Sequence, residues 1–196
     1  MATRVETVAV QPLATRALAS AASYVVIYGV TFAFFAPPAT RLAAGGYSAL
    51  DATSVTFALL LVAALTVTFG ATIFGYSVGW KVESDVRSRR MSETRGTVEF
   101  AALGTLLALA TAGVFLLIVT GGSGVSLSLI GAATLGLVVP GMAAAFCTRS
   151  VVDHVAAAKR DIFATSLSAL VVIVLVNYLI VGSLPALADV PQLFGL

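Results

Sequence analysis

Five long stretches of mostly apolar, nearly uncharged residues fill this chain, and the connections between them are short. An α-helix rises about 1.5 Å per residue, so ~20 residues cross a hydrocarbon layer about 30 Å thick. We therefore predict an all-α integral membrane protein, a five-transmembrane-helix bundle that forms one domain over residues 1–196. The predicted spans are approximately 17–36, 55–78, 97–119, 125–146 and 162–184.

The composition excludes a separate soluble domain. Only 10% of the residues are charged and the mean hydropathy is +1.04, whereas soluble proteins average about 25% charged residues. The longest connections, 37–54 and 79–96, are too short to bury a core of their own. We expect the lipid bilayer of the cell membrane as the surroundings of a multi-pass protein, and no nucleic acid as a partner.

The basic residues predict the orientation. Of the 11 lysines and arginines, all but Arg41 precede the first span or lie in the second-to-third and fourth-to-fifth connections. Such residues concentrate in short cytoplasmic connections. We predict a cytoplasmic N-terminus and an outside C-terminus. Cleavage of the first span as a signal peptide is the alternative, although its length and Pro37–Pro38 argue against cleavage.

Prolines and glycines predict where helices end or bend. Proline lacks an N–H and restricts the residue before it, so Pro37–Pro38 should end the first helix. The glycine-rich stretch 120–124 should make spans three and four antiparallel neighbours. Pro140 should kink span four.

Charged residues flank the spans. The second span should continue as a helix on the cytoplasmic side, because Glu83–Arg87 and Asp85–Arg89 have the favourable i,i+4 acid-first order. Glu99 is expected in the first turn of span three as a capping charge, where it suits the helix dipole. A cytoplasmic-side ion or proton site at Glu99 is the alternative.

Small residues recur every fourth position on three spans. Helices in lipid associate by close packing, and small residues allow their backbones to approach. These faces could pack within one bundle or against another chain. The predicted interface residues are Ala71, Gly75, Gly79, Gly104, Ala108, Ala112, Ala132 and Gly136.

Polar side chains form a second pattern within the spans. An amide or hydroxyl in hydrocarbon needs a hydrogen-bond partner, so these groups should face protein or a wet cavity. Interhelical hydrogen bonds are one interpretation, and a path for a solute is the other. The candidate path residues are Tyr24, Tyr28, Thr72, Tyr76 and Asn177.

The sequence offers no set of catalytic or metal-binding residues. Cys147 and His154 are its only cysteine and histidine, and two turns of helix, about 10 Å, would separate them. A nucleophile pair needs hydrogen-bond reach, and a metal needs three or four ligands. We therefore expect that the protein is not an enzyme and that it binds no metal and no cofactor.

Two functions remain after these exclusions. The first is a non-catalytic membrane subunit or scaffold, which packs against partner transmembrane helices in a membrane complex. The second is a small permease or channel-forming component for a neutral small solute, which acts as an oligomer. We favour the subunit because it requires the fewest features that the sequence lacks, and we expect a membrane protein partner or a second copy of the chain.

Overall fold

Long helices make up nearly all of the described chain. The structure, a computed structural model, describes residues 12–45 and 49–157. Two π-helical segments, π1 (Gly70–Val78) and π2 (Thr134–Val138), interrupt the second and fourth helices. The α-helices are α1 (Leu13–Ala44), α2 (Ala49–Phe69), α3 (Gly79–Arg87), α4 (Glu93–Thr120), α5 (Leu127–Ala133) and α6 (Val139–Ala157).

Four of these helical units are long and apolar enough to cross a membrane. They are α1, the continuous α2–π1–α3 helix, α4, and the continuous α5–π2–α6 helix. They contain the first three predicted spans and all of the fourth except its first two residues, 125–126. The second unit continues past its span to Arg87, as the sequence predicts. The fifth predicted span, 162–184, lies outside the described residues.

The prediction that Pro37–Pro38 ends the first helix is wrong. The helix α1 continues through both prolines to Ala44. The Thr40 hydroxyl donates a hydrogen bond to the Pro37 carbonyl at 3.0 Å, and Ala39 and Ala43 are fully buried. Packing of the last turns against the bundle offsets the backbone hydrogen bonds that proline removes, as neighbouring helices commonly do in membranes.

The helix α4 begins earlier than predicted and ends where predicted. The Ser92 hydroxyl caps it by accepting a hydrogen bond from the Arg95 backbone N–H. Glu93, rather than Glu99, therefore occupies the first turn. At the other end, Gly121 adopts the left-handed conformation (φ 57°), which glycine allows at little cost. The short turn that follows returns the chain to α5, and α4 packs beside α6.

The core of the described bundle forms around α1. This helix packs against α2, π1, α3, α5, π2 and α6, while α4 covers α2 and α6 from the far side. Tyr24 and Tyr28 are buried at its centre. Large apolar side chains such as Phe34 and Leu106 point outward instead, which suits contact with lipid.

Candidate functional site

Three charged residues meet at one end of the bundle. Arg16 of α1 and Arg149 of α6 both pair with Glu83 of α3. The Arg16 Nε lies 2.8 Å from Glu83 Oε2, and the Arg149 Nη1 donates to Glu83 Oε1. The exposed fractions of the side chains are 2% for Glu83, 6% for Arg149 and 23% for Arg16. This ion cluster joins three helices through one carboxylate.

The sequence pattern did not reveal the ion cluster, because the three residues are far apart in the chain. The predicted helical pair Asp85–Arg89 is wrong: α3 ends at Arg87, and Arg89 has a φ of 57° beyond it. Glu83 points into the bundle rather than lying on a solvated helix surface. The sequence contains one signal for the burial of Glu83. Glu83 lies four residues after Gly79, so both residues are on the same helix face.

A column of polar side chains on α1 continues from the ion cluster into the bundle. Ser20, Tyr24 and Tyr28 follow Arg16 at four-residue intervals, so they share one helix face. Ser23 lies beside them. The rings of Tyr24 and Tyr28 stack with their centroids 6.2 Å apart. All four side chains are buried, and Ser20, Ser23, Tyr24 and Tyr28 are together called the polar column below.

Glycines of the second helix face this column. A Cβ on Gly79 would lie 3.0 Å from the Ser20 Oγ, and a Cβ on Gly75 would lie 2.8 Å from the Ala21 Cα. The Tyr24 ring lies directly over Gly70, where a Cβ would be 2.8 Å from the Tyr24 Cζ. Larger residues at these positions would therefore collide with α1.

The π-helical segment π1 brings these glycines onto one face. Gly70 and Gly79 are nine residues apart, which in an α-helix is about two and a half turns and would put them on opposite sides. The wider turns of π1 let both approach α1. The predicted small-residue face included Ala71, which is only half-buried. It did not include Gly70, which the structure places against α1.

The other predicted small-residue faces are also inside the bundle. Gly104, Ala108 and Ala112 of α4 are buried, and Ala108 faces Gly141 of α6 so closely that a Cβ on Gly141 would lie 2.5 Å from the Ala108 Cβ. The fourth helix contributes Ala132 and Gly136, both buried. A Cβ on Gly136 would lie 3.0 Å from Leu59 Cδ1 and 3.4 Å from Ala39 Cβ.

The structure does not bring the candidate path residues together. Tyr24 and Tyr28 are buried, whereas Thr72 and Tyr76 are on the outer surface of the second helix. The Thr72 hydroxyl donates to the Thr68 carbonyl, and the Tyr76 ring packs against Trp80. Asn177 lies outside the described residues. The interior of the bundle instead places Thr66 beside Tyr28, a position the sequence pattern did not indicate.

The remaining residues that the sequence pattern singles out are Pro140, Cys147 and His154. Pro140 is buried and follows π2 closely, and the kink at this position stays a prediction. Cys147 and His154 are both exposed. Over residues 12–45 and 49–157, no group of three or more His, Cys, Asp or Glu side chains is arranged to hold a metal ion.

Two hydroxyls of the polar column differ from the other helical hydroxyls. Most threonines donate to the carbonyl four residues earlier in their own helix, which satisfies the donor locally. In contrast, Ser20 Oγ and Ser23 Oγ are buried and make no hydrogen bond within the described part of the chain. The threonines with the i−4 bond are Thr31, Thr66, Thr68, Thr72, Thr97, Thr105, Thr120, Thr134 and Thr148.

Comparison of the chain with protein-family models, with curated proteins and with solved structures finds no match.

Proposed function

We propose that this chain is a small membrane permease or channel-forming component, and that the polar column of α1 lines the path of a small polar solute. The observation that carries the proposal is the pair of buried hydroxyls, Ser20 and Ser23, that lack a partner in the described structure. A buried hydroxyl without a hydrogen bond costs about 1–3 kcal/mol. Water or a polar solute beside α1 would supply the missing partners.

The combined length of the ion cluster and the polar column along α1 supports this proposal. Arg16 and Tyr28 are twelve residues apart, which corresponds to about 18 Å along a helix. This is more than half of the ~30 Å thickness of the hydrocarbon layer. The column also begins at the ion cluster, so the polar groups extend inward from one end of the bundle.

Movement of π1 is part of the proposed mechanism. The Tyr24 ring covers Gly70 at close contact, so a solute passes only when the ring or π1 shifts. Segments of π-helix within α-helices occur frequently at functional sites. A change from π to α geometry would rotate Gly70 away from α1 and open space beside Tyr24.

A membrane subunit or scaffold is the second candidate. Its specific support is α4, the least buried of the four long helices. Among the described residues, no atom of another helix lies within 4 Å of the Cβ position of Gly113 on α4. This surface suits lipid, a partner helix or a second copy of the chain. The small-residue faces do not favour the subunit over the permease, because they face this chain's own helices.

Solute flux into proteoliposomes tests the permease. Purified full-length protein is reconstituted, and uptake of glycerol, urea and radiolabelled phosphate is compared with empty liposomes. We expect flux of at least one solute. Tyr28→Phe should lower the flux about fivefold, because it removes one hydrogen bond of about 1 kcal/mol from the path. The matched control is Tyr76→Phe, which changes the same atom on the outer surface and should leave the flux unchanged.

Intact-complex mass spectrometry of the chain from native membranes tests the subunit. Fixed stoichiometry with other chains, together with no flux of any solute, would contradict the permease and support the subunit. A homo-oligomer with Tyr28-dependent flux would support the permease.

A further inference from the structure

We infer that the basic residues around the connection between α3 and α4 bind the headgroups of anionic phospholipids. This surface, called the basic rim below, consists of Lys81, Arg89, Arg90 and Arg95. Its partner is a phospholipid with a net negative charge, in the membrane that the four long helices cross. The inference does not depend on the proposed permease function.

The side chains of the basic rim are cations without partners. All four are exposed, and none of them pairs with a carboxylate within residues 12–45 and 49–157. The stretch 79–96 contains three acidic residues, of which Glu83 is buried and engaged in the ion cluster. Only Asp85 and Glu93 remain against the four cations of the rim, so the outer surface carries positive charge in excess.

Two aromatic side chains mark the depth of the basic rim in the membrane. Tyr76 and Trp80 are both partly exposed on the second helix, and their ring centroids lie 6.1 Å apart. Tyrosine and tryptophan concentrate at the level of the lipid headgroups. Lys81 directly follows Trp80, so its charge lies at this level.

The end of α3 projects through the headgroups. It lies at Arg87, seven residues beyond Trp80, which corresponds to about 10 Å along a helix. A headgroup layer is about 5–8 Å thick on each side of the bilayer. Arg89 and Arg90, which follow the end of α3, therefore lie at the outer edge of this layer.

Packing between α3 and α4 places Arg95 near the depth of Lys81. A Cβ on Gly96 would lie 2.9 Å from the Val82 Cγ1, so these two residues are in contact. Lys81 and Arg95 each precede one of them by a single residue, so their depths differ by no more than about one helical turn, ~5.4 Å. Headgroups surround a membrane protein as a ring, and the four cations therefore need no common cavity.

Backbone hydrogen bonds hold the turn that carries two of the arginines. The backbone N–H groups of Arg90 and Met91 donate to the Asp85 carbonyl at 3.0 and 3.3 Å. The Ser92 hydroxyl caps α4 directly afterwards. Arg89 adopts the left-handed conformation (φ 57°), which glycine adopts more readily. The turn itself therefore does not require arginine at position 89, and the charge of this side chain can be removed without harm to the backbone.

The expected strength follows from the charge and the distance. A lysine or arginine close to an anionic membrane surface strengthens attraction to it about fivefold. The attraction falls off over the Debye length, about 10 Å at 0.1 M salt. All four cations of the basic rim lie at or beside the headgroup layer, within this distance. A zwitterionic headgroup has no net charge, so the rim should select lipids by charge.

Competitive lipid retention tests the basic rim. Purified full-length protein in mild detergent is incubated with equal amounts of phosphatidylglycerol and phosphatidylcholine that carry the same acyl chains. The protein is then repurified, and the retained lipids are quantified by mass spectrometry. We expect about tenfold enrichment of phosphatidylglycerol at about 0.1 M salt, and loss of most of it at about 1 M, where the Debye length is only about 3 Å.

Two variants assign the enrichment to the turn. Arg89→Gly and Arg90→Gln each remove one positive charge, and each should lower the enrichment about three- to fivefold. Arg89→Gly also gives the left-handed position its favoured residue, so its unfolding temperature should be equal or higher. A loss of enrichment in this variant is therefore not the result of a damaged fold, and Arg89→Gly alone decides the test if Arg90→Gln does not fold.

Arg41→Gln is the matched control. Arg41 is exposed in the last turn of α1, at the opposite end of that helix from the ion cluster. No other lysine or arginine occurs in residues 42–80 or 96–148, so this substitution should change the enrichment less than about twofold. Equal retention of the two lipids by the original protein would overturn the basic rim. Unchanged enrichment in Arg89→Gly, or an equal loss in Arg41→Gln, would also overturn it.

Discussion

The Arg16 Nε and the Glu83 Oε2 lie 2.8 Å apart, although one residue belongs to the first turns of α1 and the other to α3. Arg149 of α6 pairs with the second oxygen of the same carboxylate. Removing one member of a buried ion pair leaves a charge without compensation, which costs more than the pair itself contributes. The ion cluster therefore holds three helices together. It also lies at one end of the polar column.

Glu83→Gln should destabilise the bundle by about 3 kcal/mol, because the buried carboxylate that both guanidinium groups share would lose its charge. Thermal unfolding in mild detergent, followed by far-ultraviolet circular dichroism, measures the change. The control is Glu93→Gln, an exposed residue in the first turn of α4, which should lower stability by less than about 1 kcal/mol. Equal effects of the two substitutions would show that the buried pairing is unimportant.

Gly70→Ala should destabilise the protein by about 1–3 kcal/mol, because the new Cβ would overlap the Tyr24 ring. The matched control is Gly113→Ala on α4, where a Cβ has open space. There, alanine should stabilise the helix by about 0.5–1 kcal/mol through its higher helix propensity. Unfolding midpoints that rise for both variants would contradict the close contact between π1 and α1.

The contact between Gly141 and Ala108 predicts a rescue. Gly141→Ala alone should cost about 1–3 kcal/mol, because the two Cβ atoms would lie 2.5 Å apart. Adding Ala108→Gly removes one of the two Cβ atoms and should restore most of the loss. A double-mutant cycle on unfolding free energies measures this coupling. Additive effects of the two substitutions would mean that α4 and α6 do not pack at this point.

The orientation predicted from the basic residues can be measured by cysteine labelling. In a Cys147→Ala background, a membrane-impermeant thiol reagent should label Ser123→Cys in sealed cells. Labelling of Ser88→Cys should require broken membranes, because its connection carries five of the 11 basic residues, more than any other connection. Both serines are exposed, so access should depend on the side of the membrane. The opposite labelling pattern would reverse the topology.

The helical spans followed from local sequence alone. A stretch of about twenty apolar residues has few alternatives to a helix in lipid, because every backbone polar group must be satisfied within the segment. The glycine-rich turn after Thr120 is equally local, since Gly121 and Gly122 adopt positive φ values that other residues rarely take. Within the described residues, helices therefore cover three of the predicted spans entirely and the fourth from Leu127 onward.

Helix continuation through Pro37–Pro38 was decided by tertiary packing. The local rule for proline predicts an end, but burial of Ala39 and Ala43 against the bundle favours continuation. The face of the second helix was decided in the same way. A four-residue period selects Ala71, whereas π1 changes the number of residues per turn and places Gly70 against Tyr24.

Local composition is sufficient to predict which segments are helical and apolar, because the free energy of a span depends on its own residues. Which polar residues are buried together depends on contacts between helices instead. Arg16, Glu83 and Arg149 belong to three helices, and no period within one helix relates them. The packing of α1, α3 and α6 brings these charged side chains together. As a result, charges that flank the spans in the sequence form an ion cluster at the end of the polar column.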